Sequence, residues 1–417
     1  MKNLWIINHY AIPPCYGGLN RHYYFAKYLS KMGYNVKIFT SSRIHNTNIN
    51  IIKKNEEVCF KSVLFNEVEY IFLKNSDYAG NNFLRIRNML EFALKVLRYL
   101  SKTGVKHFGI PNIIYTSSPC LLASFASVKL AKKLDVPIIT EIRDLWPESI
   151  VCYKNISKKN PVIIALYKIE SWIYKNSNKI IFTFEGGNNY LKEKKISGID
   201  FKKIHHINNG VDLQEFNKNM SNVVEDKDLL NDKTFKIIYT GSIREVNNLS
   251  ILIEVAKNIK NKFKNIRFLV YGSGNQKKEL EERCKKENID NVIFKGNVSY
   301  KYLPFILSKG NANIIVVKQT KLMRFGSSFN KLFDYMASKK PVISNLKVNY
   351  DLIQRYKCGV SAVLDDLKAL EEAIEKIYNL SNYDYKNMCR NAGNAVKNYD
   401  YKVLSKKLHK ILESLSS

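Results

Sequence analysis

The sequence has no long apolar run. Stretches such as Ile113 to Tyr115 and Val162 to Leu166 fall far short of the roughly 20 residues that a membrane-spanning helix requires. Met1-Lys-Asn-Leu-Trp leads directly into an apolar strand pattern, so no signal peptide is expected. Cysteine is scarce: seven residues, at 15, 59, 120, 152, 284, 358 and 389, form no CxxC motif and no Cys/His cluster. That spacing excludes a zinc module, and an odd number cannot all pair within one chain, so reduced thiols in a cytoplasmic protein are expected. Acidic residues are also in deficit, 37 against 67 Lys and Arg, which leaves a formal net charge of +30. Such a charge draws a protein toward polyanions, of which anionic lipid, nucleic acid and phosphorylated substrates are the candidates. Charge does not choose among them, and the abundance of Lys and Asn also fits a compositional bias without functional content.

What is present is a globular composition, 45% hydrophobic and 25% charged, over 417 residues. One hydrophobic core rarely serves so long a chain, so two domains of roughly 200 residues are expected. Leu4-Trp-Ile-Ile-Asn reads as a buried strand, Ala11 to Gly18 as a loop, and Asn20 to Met32 as a helix closed by Gly33. Strands follow at Val36 to Thr40, Ile113 to Thr116, Pro137 to Thr140 and Ile180 to Thr183, with helices near Leu121 to Lys133 and Asn188 to Lys194. Strands separated by helices imply a parallel sheet covered on both faces. Residues 217–232 are polar and aperiodic and read as a linker. The alternation restarts at Phe235 and runs through strands at Ile266, Val292, Ala312 and Val342, with helices over Leu249 to Lys262, Gln276 to Glu287 and Lys331 to Ala337. Two doubly wound α/β domains place their ligands beyond the carboxyl ends of the strands, so loops of both halves are expected to form a site in a central cleft.

The segment from Arg324 to Ile343 is the most informative. Ser327, Ser328 and Asn330 are good helix caps, and a helix starting there points backbone N–H groups and its positive end at an anion, such as a diphosphate. Asp334 lies one turn on, on the side of Asn330 and Lys331, where a carboxylate accepts hydrogen bonds from vicinal hydroxyls. Taken alone, the segment reads sooner as a capped surface helix with a solvated Asp.

Other landmarks accompany it: Pro14-Cys-Tyr-Gly-Gly-Leu-Asn-Arg-His, Gly33-Tyr-Asn-Val, Glu141-Ile-Arg-Asp-Leu-Trp-Pro-Glu-Ser, Asn209-Gly-Val-Asp with Phe216, Tyr239-Thr-Gly-Ser, Tyr271-Gly-Ser-Gly, Phe294-Lys-Gly-Asn-Val and Asn330-Lys-Leu-Phe-Asp-Tyr-Met-Ala. In this order and spacing the chain resembles, over nearly all its length, the retaining GT-B glycosyltransferases of bacterial polysaccharide and lipopolysaccharide synthesis. The Glu141 and Asn330 motifs look most like a branch that adds amino or deoxy sugars to lipid-linked O-antigen and capsule precursors. The resemblance implies an acceptor-binding Rossmann-like domain over 1–216, the linker at 217–232, a nucleotide-sugar domain over 233–398, and a C-terminal helix over 399–417 that packs back toward the first domain.

It also implies site residues. Gly17 and Gly18 belong to the loop that closes over the donor diphosphate, and Gly241 and Arg244 to the loop that pairs with phosphate oxygens. Ser328, Asn330 and Lys331 stand at the helix start, and Asp334 matches the second carboxylate of a paired-acid motif, the one that holds the ribose. The first carboxylate falls on Gly326, and a lysine expected soon after Arg244 is replaced by Asn247 and Asn248, so Lys318, Arg324 and Lys331 are the candidates for the missing charge. Asp144 is the candidate for orienting the acceptor hydroxyl, with Arg143 holding Asp144 or an acceptor phosphate; a purely structural ion pair is the plain alternative. His9 is a weaker acceptor candidate. No general base, metal or cofactor is implied, because in a retaining reaction the departing phosphate takes the acceptor proton. The donor is expected to be a nucleotide sugar carried on UDP, and the acceptor a lipid-linked saccharide.

Membrane contact is read from 82–102, where Ile86, Met89, Ala93, Val96 and Leu100 share one helical face while Arg87, Lys95, Arg98 and Lys102 share another. The apolar face is expected to cover the N-terminal sheet and the basic face, with the amphipathic segment Val162 to Tyr174, to meet an anionic membrane surface. Other classes fit less well. Tyr271-Gly-Ser-Gly lacks the third glycine of a dinucleotide fingerprint, and no nucleic-acid-binding motif accompanies the positive charge. A GT-B nucleotide-sugar epimerase shares fold and donor and is the nearest alternative.

Overall fold

A computed structural model describes residues 1–17, 20–45, 47–78, 80, 83–362 and 366–415. Gly18 and Asn82 lie outside the described residues. The chain divides into two compact units, Met1–Asn208 with Tyr401–Ser417, and Asn209–Asp400.

The first unit contains strands β1 (Lys2–Ile7), β2 (Tyr34–Ser41), β3 (Phe60–Phe65), β4 (Val68–Leu73), β5 (Ile113–Ser117), β6 (Ile138–Ile142), β7 (Lys179–Phe182) and β8 (Ile204–His206). Its helices are α1 (Arg21–Ser30), α2 (Phe83–Lys95), α3 (Val105–Phe108), α4 (Leu121–Leu134), α5 (Glu148–Lys154), α6 (Pro161–Asn176) and α7 (Gly187–Glu193), with a π-helical stretch, Val96–Gly104, continuing α2. The sheet order is β3-β4-β2-β1-β5-β6-β7-β8. All pairings are parallel except β3 with β4, an edge hairpin that turns through Asn66 and Glu67 at positive φ. Strands buried on both faces read as continuous apolar runs, which is why β1, β2, β5, β6 and β7 stand out in the sequence. The hairpin does not, because β3 is largely exposed and its turn carries no glycine.

The second unit contains α8 (Leu213–Asn219), β9 (Phe235–Thr240), α9 (Leu249–Ile259), β10 (Ile266–Tyr271), α10 (Lys277–Lys286), β11 (Val292–Gly296), α11 (Leu303–Lys309), β12 (Ala312–Ile315), α12 (Asn330–Ala337), β13 (Val342–Ser344), α13 (Leu352–Arg355), β14 (Gly359–Ser361), α14 (Leu367–Tyr378) and α15 (Asn382–Ala395). Its all-parallel sheet runs β11-β10-β9-β12-β13-β14. Both units are therefore doubly wound α/β layers. The strand order reverses between β1 and β5 in one and between β9 and β12 in the other, and the loops beyond these strand ends are where such folds hold ligands.

Residues 217–232 are integrated into the second unit. Leu229 is fully buried, Lys295 Nζ bridges Asp226 and Asp228 at 2.6 Å each, and the Tyr271 hydroxyl donates to Asp226 at 2.9 Å. The polarity of the stretch comes from its surface course, not from freedom.

The last helix, α16 (Tyr401–Glu413), lies on α1 in the first unit. Tyr401 stacks on Tyr24 with centroids 4.8 Å apart, Leu404, Leu408 and Leu412 are buried with Tyr24 and Phe25, and Tyr34 donates to Glu413 at 2.8 Å. Truncating a fully buried leucine costs about 2–5 kcal/mol. Leu408→Ala is accordingly expected to lower the unfolding free energy of the first unit by an amount in that range, read as a lower urea midpoint, and an unchanged midpoint would show that α16 is not part of its core.

Candidate active site

In the second unit the loop after β9 begins at Gly241, whose Cβ position is crowded by the side chains of Lys331 and Tyr239. A Cβ on Gly241 would stand 3.1 Å from Lys331 Nζ, and one on Gly272, after β10, would overlap the Gly241 carbonyl at 1.8 Å. Only glycines allow these two turns to touch. Lys331, in the first turn of α12, extends beneath Gly241. Its Nζ donates to the Tyr239 hydroxyl at 3.1 Å and lies 4.3 Å from the centre of that ring. Among the described residues no carboxylate pairs with it, and burial pushes its pKa down to about 7. A desolvated cation held this way is incomplete until an anion arrives.

The start of α12 points the same way, though not by the expected means. Phe329 is the N-cap and no side chain caps the helix. Ser328 is turned elsewhere: its Oγ accepts from the Asn209 amide at 2.9 Å, and its carbonyl accepts from Asn209 Nδ2 at 2.6 Å. Asn330 is the first helical residue and not a cap. The first N–H groups of α12 are thus left without side-chain acceptors, the usual setting for an anion at a helix start.

One turn on, Asp334 Oδ1 accepts from the Tyr300 hydroxyl at 2.8 Å, and burial, partly offset by that bond, raises its pKa to about 7. Tyr300, in the turn after β11, is a site residue that the sequence did not disclose. The Gly326 substitution has a local reason: its φ is +93° and its N–H closes the turn Lys321–Phe325 on Met323, a conformation costly for any residue bearing a carboxylate. Of the candidates for the missing charge, only Lys331 is half-buried. Lys318 is exposed and ion-paired with Glu245 at 2.7 Å, and Arg324 lies over the Phe325 ring at 4.4 Å. Arg244 is exposed at the start of the turn Glu245–Asn247.

In the first unit, Gly17 ends the turn Pro14–Tyr16, its N–H donating to the Pro14 carbonyl at 3.0 Å. Arg143 and Asp144 follow β6, and the Ser118 hydroxyl, just past β5, accepts from both their amides at 2.8 and 3.3 Å. The two side chains make no ion pair with each other; Arg143 is half-buried and Asp144 exposed. Below them Glu141 is fully buried. It accepts from Arg21 Nε at 2.6 Å, Tyr115 at 2.5 Å and Ser117 at 2.7 Å, with His22 Nε2 at 3.3 Å. Burial alone would raise this carboxyl; Arg21 and His22 overcome that and hold it well below the usual carboxylate range. Arg21 also donates to the carbonyls of Asn208 at 2.5 Å and Ile207 at 2.9 Å. His9 is turned inward. Its Nε2 meets Asn88 Oδ1 at 2.6 Å, and burial lowers its pKa to about 4, so the ring is neutral. Among the described residues no group of His, Cys, Asp or Glu is clustered to hold a metal ion.

Comparison with known proteins now bears on this geometry. Residues 222–399 match the family model described as glycosyl transferases group 1, and residues 16–215 the one described as glycosyltransferase family 4. No curated protein sequence matches the chain. Among solved structures, a sucrose-phosphate synthase from Thermosynechococcus elongatus is similar at 16% identity with a TM-score of 0.74, over 100% of this chain and 99% of the other. Anabaena HepE in complex with UDP-glucose is similar at 11% identity and a TM-score of 0.69, over 100% of both. A glycosyltransferase from Rickettsia africae stands at 17% and 0.66, over 99% and 98%. At these identities the likeness is one of fold.

A lysine with its pKa lowered to about 7 takes up a proton when an anion binds beside it. Binding of UDP at pH 7 to 8 is therefore expected to be accompanied by proton uptake, read by calorimetry in buffers of differing ionisation enthalpy. Lys331→Met should abolish that uptake and weaken binding about tenfold or more, the equivalent of one charge-assisted contact. Equal proton uptake in the variant would remove Lys331 from the anion site.

Proposed function

We propose, from the premise that the chain belongs to the glycosyl transferases group 1 family over residues 222–399 and is a GT-B glycosyltransferase, that it transfers an amino or deoxy sugar from a UDP-linked donor to a lipid-linked saccharide. The observation that carries the donor half is Lys331, half-buried against Gly241 at the uncapped start of α12, without a carboxylate partner among the described residues, with Asp334 one turn on. A diphosphate supplies the missing negative charge, and the ribose hydroxyls of the nucleotide suit a carboxylate already engaged by a tyrosine hydroxyl. UDP in complex with one structural relative supports the choice of nucleotide. The Glu141 and Asn330 motifs support the choice of sugar and acceptor, and the charge of +30 fits work at the inner face of the cytoplasmic membrane.

In this reading the bond from the anomeric carbon to the donor phosphate breaks, and a bond to the acceptor oxygen forms on the same face. The acceptor proton passes to the departing phosphate oxygen. No metal or cofactor takes part, and the negative charge that develops on the diphosphate is met by Lys331, Arg244 and the N–H groups of α12. Asp334 displaces its bond from Tyr300 in favour of the ribose. Asp144 orients the acceptor hydroxyl, and Arg143 takes an acceptor phosphate. Glu141 and Ser118 position these two residues without touching substrate.

Thermal shift against a panel of nucleotide sugars tests the donor, since a ligand at a hundredfold over its Kd stabilises by about 2.7 kcal/mol. Silence across the panel would end this reading. Asp334→Ala and Arg244→Ala are expected to raise the donor Kd about tenfold or more, the cost of one charge-assisted hydrogen bond each. Asp144→Ala should leave that Kd unchanged and lower kcat. Parental donor affinity in the first two variants would overturn the assignment of the donor residues.

A further inference from the structure

Helix α2 is apolar on two opposite sides. Asn88, Met89, Phe92 and Ala93 are buried, as the sheet-covering reading requires. Ile86, expected to join that inner face, is instead 52% exposed, and it lines up with Phe83 at 76%, Leu90 at 47% and Leu94 at 46% in a stripe along the outer side. The spacing of 3, 4 and 4 residues puts these four within a narrow arc of one helix face. Soluble proteins seldom leave a contiguous aliphatic stripe in water, and one with a polar rim marks a place of contact.

The rim is basic. Helices α2 and α6 pack on either side of α4. Lys129 stands 4.9 Å from the Phe125 ring centre and Lys132 5.4 Å from that of the half-buried Trp172, so this outer surface alternates rings and ammonium groups. Lys168 and Lys175 are exposed on α6, and Arg98 and Lys102 on the π-helical continuation of α2. The acids of α2, α4 and α6 are withdrawn: Glu170 is buried under Tyr174 and Tyr190, and Glu91 is paired with Arg87 at 2.9 Å. Val162 and Ile164, at 66% and 41% exposed, add two apolar side chains at the start of α6.

We propose that the outward face of α2, α4 and α6 is a docking surface for an anionic phospholipid bilayer, with Phe83, Ile86, Leu90 and Leu94 entering the acyl boundary and the surrounding lysines and arginines meeting the head groups. A second copy of this chain bringing the same face would set cation against cation, and a nucleic acid offers no apolar phase to the three exposed aliphatic side chains Ile86, Leu90 and Leu94. A bilayer with anionic head groups satisfies both components at once. This differs from docking by a basic face alone, because the apolar residues themselves enter the membrane. It rests on the surface and stands whether or not the acceptor is lipid-linked.

The test uses the full chain and vesicles of phosphatidylcholine, alone or mixed with phosphatidylglycerol, in sedimentation assays across a salt series. Binding is expected to the mixed vesicles, falling with salt as the attraction is screened over about 8 Å near physiological ionic strength. Leu90→Glu with Leu94→Glu should lower the partition coefficient about a hundredfold or more, since both apolar insertions are lost. Leu64→Glu, at a still more exposed leucine on β3, should leave it unchanged. Lys129→Gln with Lys132→Gln should flatten the salt dependence. Parental melting temperature and UDP binding in the leucine variant separate lost docking from lost fold, and failure of UDP to bind any form counts against the donor site and not against this surface. The proposal is overturned if the leucine variant partitions like the parent, if the parent binds no vesicles, or if the parent is a solution dimer that the leucine variant splits.

Discussion

The first unit is organised around one buried carboxylate. Glu141 gathers Tyr115 and Ser117 from β5, Arg21 and His22 from α1, and through Arg21 the carbonyls of Ile207 and Asn208, where the chain leaves the unit. A charge so placed is tolerable only because each of its oxygens is answered, and removing one partner of such a pair costs about 3–5 kcal/mol. Ser118, next to one of these partners, carries the amides of Arg143 and Asp144. The chemistry expected at the surface therefore stands on an interior in which few groups are free to shift.

The second unit shows the opposite case. Lys331 is half-buried where Arg21 is fully so, its contacts are a phenol and a ring face, and among the described residues no carboxylate balances it. The two cations thus differ in what they lack. Arg21 is complete within the protein and fixes a frame, whereas Lys331 has its charge depressed until something from outside restores it. Asp334 is the mirror case, a carboxylate whose charge burial disfavours and which one tyrosine only partly relieves.

Much of this architecture is legible in the sequence. The βα alternation of both units and the glycine turns after β9 and β10 are visible because buried parallel strands are unbroken apolar runs and close turns admit only glycine. Lys331 and Asp334 are legible as residues, but not the burial that gives them their character. What escapes the sequence is what depends on contact. Serine and asparagine at 327, 328 and 330 advertise caps, yet Ser328 is claimed by Asn209 and the cap is Phe329. Residues 217–232 look like a linker because polarity cannot distinguish a tethered surface segment from a free one, and the pairing with Lys295 is distant in sequence. Ile86 shares a periodicity with the inner face of α2, but its angle around the helix puts it outside.

The residues that complete the first unit are separated from the rest of it by the whole of the second, since α16 follows Asp400. During synthesis the sheet β1 to β8 emerges early, with the outer side of α1 uncovered until Tyr401, Leu404 and Leu408 have left the ribosome. The second unit, continuous in sequence, has every strand of its own in hand before then. The order of completion is thus the reverse of the order of translation, and the unit begun first is the last to be sealed.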